Sequence, residues 1–168
     1  NIQNLMREAQ KMQKNLQIAH IEYSITTKSL DIFTIGCDGH CTGCCNPEIK
    51  SWDLKGLSVF EVLDKVMELN SRYNNLIERV IVVGGDPVDA YSKYPFDMKT
   101  LLKGIKSITG KPLYLFTRQG LPLIPQDLKD LVDYIKSGEY KPELTCDDNM
   151  QYGIKLAIGH SRKSFMKV

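Results

Sequence analysis

Apolar positions along this chain follow two rhythms that alternate. Short continuous runs predict strands at Leu30 to Ile35, Val80 to Val83 and Pro112 to Thr117, and a final strand at Gly153 to Ile158. Between them, apolar residues recur at helical spacing. Ser58-x-x-Glu61 has the form of a capping box, and Phe60, Leu63, Val66, Met67 and Leu69 make the apolar stripe behind it. A second helix carries Met98, Leu101, Leu102, Ile105 and Ile108 and stops at Gly110. A third is expected from Pro125, with Leu128, Leu131, Val132 and Ile135 on its buried face and Gly138 as its stop. Near the start, Leu5, Ala9, Met12 and Leu16 are spaced by four, three and four, which predicts an amphipathic helix over residues 1–20.

Strands alternating with helices of this length predict an α/β domain with a mostly parallel sheet, here over residues 21–168. The 168 residues are too few for a closed eight-fold barrel of roughly 250, so a partial, open parallel β/α barrel is expected, preceded by the N-terminal helix. In such architectures binding sites gather at the carboxyl ends of strands. Charge adds little: 22 basic against 20 acidic residues leave +2, which gives no global field for nucleic acid. No apolar run reaches the ~20 residues a membrane-spanning helix requires.

The candidate chemistry lies just beyond the first of these strands. Cys37, Cys41 and Cys44 form C-x3-C-x2-C. Three thiolates on one loop can each bind an iron of a [4Fe-4S] cube and leave the fourth iron without a protein ligand, whereas electron-transfer clusters normally close all four positions. An open iron can chelate a substrate or cofactor. The rival is a structural zinc site, with Cys45, His40 or Cys146 as the fourth ligand. Disulfides do not suit the pattern: five cysteines without a signal-peptide pattern are expected to be the reduced thiols of a cytoplasmic protein.

The segment Gly36-Cys37-Asp38-Gly39-His40-Cys41-Thr42-Gly43-Cys44-Cys45-Asn46-Pro47-Glu48 resembles the cluster loop of radical S-adenosylmethionine (SAM) enzymes. More narrowly, it resembles that of the activating proteins of anaerobic ribonucleoside-triphosphate reductase. Gly84-Gly85-Asp86-Pro87, after the second strand, is similar to the turn that meets the methionine end of SAM in that family. Asp133 to Tyr140, followed by Gln151 to Ala157, is similar to the tail of the small activating proteins. Two features depart from the pattern. Thr26 to Ser29 stands where longer members carry a Gly-Pro-Gly-type turn, and Ile158 to Ser161 lacks a Ser-Asn-Gln-like run.

The resemblance implies a partial barrel and a radical SAM oxidoreductase. Its cofactors would be a [4Fe-4S] cluster on Cys37, Cys41 and Cys44, and SAM held by Gly84, Gly85, Asp86, Thr117 and Arg118. The product would be a glycyl radical on a large partner enzyme, with anaerobic ribonucleotide reductase the foremost candidate and flavodoxin or ferredoxin the electron donor. The alternatives are an enzyme acting on a small molecule or on another glycyl radical enzyme, and a zinc-stabilised interaction module. Asn46 and Glu48 are expected to shape the loop, and Trp52 to serve the core or cover the cluster. Cys45 and Cys146 are expected to be non-ligands, and His20, His40 and His160 show no ligand spacing.

Overall fold

A computed structural model describes residues 1–4, 15–41, 44 and 46–139, together with the backbone of 145–151, 154–157 and 165–167. Its strands β1 (Ile18–Ser24) and β2 (Ser29–Thr34) form an antiparallel hairpin. Helix α1 (Val59–Tyr73) leads to β3 (Arg79–Gly84), helices α2 (Pro87–Lys93) and α3 (Pro95–Thr109) to β4 (Leu113–Phe116), and the single turn α4 (Gln126–Lys129) to β5 (Tyr134–Lys136). Strands β6 (Thr145–Gln151) and β7 (Ile154–Ala157) pair only with each other, and β8 (Phe165–Lys167) returns to the main sheet. That sheet has the order β1-β2-β3-β4-β5-β8. Its four central strands run parallel, and an antiparallel strand lies at each edge, so the sheet is open.

Register explains where the core sits. Leu30 and Ile32, Val80 and Val82, and Leu113 and Leu115 are paired neighbours on one face, all buried, with Ile135 beyond them. Helices α1 and α3 close over this face. The opposite face carries a smaller apolar cluster of Ile81, Val83, Tyr114, Phe116 and Tyr134, in which the rings of Tyr114 and Tyr134 stack at 4.5 Å.

The expected capping box is present: Glu61 N–H donates to Ser58 Oγ, and Ser58 N–H donates to Glu61 Oε1. The expected stripe behind it is corrected at two positions: Val66 is buried and Leu63 and Leu69 pack against the core as expected, but Phe60 and Met67 do not. Val59, Val62 and Val66 face the sheet, while Phe60 and Met67 are 72% and 56% exposed. Both rows satisfy helical spacing, and the neighbouring helix decides between them. Leu63 lies so close over Gly104 of α3 that a Cβ there would sit 2.7 Å from it, and this contact sets the rotation of α1. The second helix is as expected, with Gly110 capping it in the left-handed region at φ 61°.

The third helix is a correction. It ends after one turn, where the N–H groups of Leu131 and Val132 donate short-range bonds to the carbonyls of Leu128 and Lys129. Asp133 then exchanges two hydrogen bonds with Leu113, its N–H donating to the Leu113 carbonyl and its carboxylate accepting from the Leu113 N–H. The chain is thereby turned into β5, and Ile135 is a strand residue. Leu128, Val132 and Ile135 are buried as expected, but the open edge of β4, rather than local spacing, chooses their conformation.

The final strand is also reassigned. Ile154–Ala157 pairs with β6 outside the main sheet, whose last strand is β8. The N-terminal helix cannot extend to residue 20, because Ile18, Ala19 and His20 belong to β1. Leu5, Ala9 and Met12 of its stripe lie outside the described residues, as do Cys45, Gly153, Ile158 and His160. Leu16 is fully buried, its N–H donating to Asp97 at 2.9 Å. None of the described helices is long and apolar enough to cross a membrane.

One acidic residue on the second face has a consequence for stability. Asp31 stands opposite Glu22 across the hairpin and accepts from Ser29 Oγ at 2.6 Å. Burial, offset in part by the Ser29 bond and reinforced by Glu22, raises its pKa from 3.8 to about 6. The unfolded chain therefore releases this proton first. Stability present below pH 3.8 falls as pH rises and is lost through about pH 6. Because Asp31 remains partly exposed, the expected penalty is ~1 kcal/mol rather than the ~3 a two-unit shift would imply. Asp31→Asn should raise the denaturant midpoint at pH 7.5 and match the parent chain at pH 4. A stabilisation equal at both pH values would exclude this origin.

Candidate metal centre

The cysteine loop leaves the carboxyl end of β2 and is clamped at its entry. Gly36 N–H donates to the Ile49 carbonyl at 2.8 Å and Cys37 N–H to the Lys50 carbonyl at 3.0 Å, so the loop's exit runs beside its entrance. Pro47–Ile49 form a short 3-10 turn, and Asn46 Nδ2 reaches the Gly84 carbonyl at 3.4 Å. Asn46 thus ties the far side of the loop to β3, in keeping with a shaping role. Trp52 packs under Gly36, where a Cβ would lie 2.1 Å from its ring. Its Nε1–H donates to Asp38 at 2.8 Å, and the Lys93 ammonium lies 4.5 Å from the ring centre.

The Gly84–Asp86 turn meets this loop backbone to backbone. Gly85 N–H donates to the Thr34 carbonyl and Asp86 N–H to the Gly36 carbonyl, both at 2.8 Å. Gly84 takes φ +120°, a conformation in which a side chain would press on Thr34. Asp86 then caps α2, accepting from Val88 N–H at 2.9 Å, with Pro87 in the first helical position. Pro87 therefore starts a helix as well as ending the strand.

Behind the loop lies a buried polar floor. Asp86 is 1% exposed and accepts from Thr117 Oγ1 at 2.7 Å and from Arg118 N–H at 3.2 Å. Asp89, also buried, accepts from Asp38 N–H at 3.0 Å, Arg118 Nη2 at 2.7 Å and Gln119 Nε2 at 3.0 Å. Burial raises the pKa of Asp86, against the opposing effect of its hydrogen bonds. Thr117 also accepts from Gln119 N–H. Asp86 and Thr117 are thus engaged inside the protein, while Gly84, Gly85 and Arg118 remain partly exposed.

Sequence reasoning missed Asp89 and Gln119. An acidic residue in the first turn after Asp86-Pro87 was a visible signal for Asp89. Its partners, Asp38 and Arg118, come from two other segments, and no local pattern connects them.

Cys37, Cys41 and Cys44 are free thiols, all partly exposed. Burial raises the pKa of Cys37, with Gly39 N–H and Arg118 acting against it. Burial also raises that of Cys41, followed by the charge of Glu139 and the neighbouring Cys37 and Cys44. An open cavity of about 150 Å3, lined by Gly39, His40, Cys41, Arg118 and Glu139, lies beside Cys41.

A second possible ligand group is already neutralised. Cys37 Sγ and one oxygen each of Asp86 and Asp89 lie within 4.8 Å of one another, but both carboxylates take the Arg118 guanidinium as their cation. The donor set that remains is three thiols on one loop, which fits an iron–sulfur cube held at three corners. The buried Arg118 Nε, without a hydrogen-bond partner among the described residues, suits a site that acquires anionic sulfur. Cys146 lies in β6, of which only the backbone is described.

No curated protein matches the chain. Residues 28–151, which run from the hairpin loop through the cysteine loop, the Gly84–Asp86 turn and the Asp86–Asp89–Arg118 floor, match the family described as 4Fe-4S single cluster domain. The match spans well over half of the sequence, and the chain belongs to that family.

Proposed function

We propose that this protein is a radical SAM enzyme of the activating type, which generates a glycyl radical on a large partner enzyme. The partner favoured by the resemblance is anaerobic ribonucleoside-triphosphate reductase, with flavodoxin or ferredoxin as electron donor. The observation that carries the reading is the set of three thiols on one loop, abutting a glycine turn at the ends of adjacent parallel strands. In this reading Cys37, Cys41 and Cys44 would hold a [4Fe-4S] cluster, which would supply the electron for reductive cleavage of SAM and so the radical chemistry that abstracts hydrogen from a glycine Cα.

The chain's own residues bind and orient. Gly84 and Gly85 let the backbone approach the methionine end closely, and their carbonyls accept from its ammonium. Asp86 and Thr117, engaged with each other, keep that turn fixed rather than touching the ligand. Arg118 and Glu139 line the cavity beside Cys41. At about 150 Å3 the cavity is smaller than the roughly 300–1,000 Å3 of enclosing ligand sites, so it would hold only part of a molecule the size of SAM. The open, mostly parallel sheet supports this reading, in which the fold is a partial barrel whose carboxyl edge faces the partner.

The test is anaerobic reconstitution with iron and sulfide, followed by low-temperature EPR of the reduced protein with and without SAM. The expected result is a reduced-cluster signal that changes on adding SAM, together with release of 5′-deoxyadenosine and a glycyl doublet when the reductase is present. Deoxyadenosine without a doublet would point to a small-molecule substrate or another glycyl radical enzyme. A cluster indifferent to SAM would sink the SAM reading. Colourless protein holding one zinc would leave the interaction module in its place.

A further inference from the structure

Arg118 is placed as no simple surface or ligand-clamping arginine would need to be. Its guanidinium is held by two buried carboxylates, Nη2 donating to Asp89 Oδ2 at 2.7 Å and Nε lying 3.5 Å from Asp86 Oδ2. That Nε is buried and lacks a hydrogen-bond partner among the described residues. Gly39, two residues beyond the first cysteine, makes room for it: a Cβ there would come within 2.1 Å of Nε. The Cys37 sulfur is within 4.8 Å of a carboxylate oxygen from each aspartate. Once Cys37 is a thiolate on iron, two buried negative charges face a third, and one cation stands among them.

We propose that Arg118 sets the reduction potential of the cluster, its Nε–H donating to sulfur at the Cys37 corner while Asp86 and Asp89 position it. Reduction adds negative charge to the cluster, so a cationic donor at its sulfur favours the reduced form and raises the potential, whereas a nearby carboxylate lowers it. The arrangement opposes two charges of opposite effect at one corner, and the potential reflects their balance. This role needs only the cluster, and it stands whether or not the protein binds SAM.

The experiment is an EPR-monitored redox titration of the reconstituted full chain without SAM, with iron content measured for each variant. Arg118→Gln should move the midpoint to a more negative value, and Arg118→Lys, which keeps the charge but loses the Nε donor, should fall between it and the parent. Asp89→Asn should move the midpoint the other way. The asparagine oxygen can still accept from Asp38 N–H and Arg118, and the Gln119 amide can turn to meet the new NH2. A merely structural role would not produce shifts of opposite sign.

If Arg118→Gln cannot hold a cluster, Arg118→Lys still reads the Nε donor and Asp89→Asn the opposing carboxylate charge. Unchanged midpoints with four irons per chain retained would overturn the proposal. So would an Asp89→Asn shift toward more negative values. If instead the Arg118 variants alter only the response to SAM, Arg118 is a ligand contact and sets no potential.

Discussion

Replacing any one of Cys37, Cys41 or Cys44 by alanine is expected to abolish the [4Fe-4S] cluster while leaving the fold in place. On the proposed ligand set there is no spare: losing one thiolate would leave two irons of a cube without one, and the cube would not persist on two cysteines. Iron should drop from about four per chain to near zero, with the visible absorbance lost, since the family's single cluster takes four. The apoprotein should change by less than ~1 kcal/mol, because the thiols sit on a partly exposed loop and contribute little to the core. Iron analysis and denaturant melts of the three variants separate these two effects. Full iron content in any one of them would show that its thiol is not a ligand.

The second large effect is expected at Gly85, where no thiol is involved. A methyl group there would lie 2.1 Å from the Gly36 carbonyl oxygen, which is backbone and cannot turn aside. That same oxygen accepts from Asp86 N–H, so relief of the clash breaks the bond joining the two loops. Gly85→Ala should cost about 3 kcal/mol, the upper end of ordinary overpacking, and should reduce cluster loading together with stability. Gly120→Ala is the control. Its φ is −68°, a Cβ there meets nothing nearer than Pro122 at 3.8 Å, and the change should be neutral or stabilise by up to ~1 kcal/mol. Equal melting behaviour of the two variants would remove the argument for the glycine contact.

Features with a local cause were legible in the sequence. The capping box at Ser58 and Glu61, the β-branched run at Val80–Val83 and the left-handed stop at Gly110 each depend on neighbours a few residues away. The Gly84–Asp86 turn could be placed near the cysteine loop because both follow strands whose apolar runs predict parallel pairing. What was not legible depends on distant partners. The rotation of α1 is decided by Gly104, the conversion of the third helix into β5 by Leu113, and the role of Asp89 by Asp38 and Arg118. Phe60 and Met67 match the buried pattern as well as Val59 and Val62 do, so hydrophobicity alone could not choose between them.

The contact between the cysteine loop and the turn after β3 also bears on the order of assembly. Asp38 and Asp89, whose hydrogen bond closes the floor of the site, are 51 positions apart. The parallel pairing of β2 with β3 requires the whole α1 crossover between them. Contacts of such separation must overcome loop-closure entropy before they return any stability, so they form slowly. Until they form, the three cysteines are neighbours along a chain rather than corners of a cage, equally open to zinc, copper or an oxidant. The interval of greatest exposure for these thiols is therefore the folding time of the nascent protein, before β3 has docked against the entry of their loop.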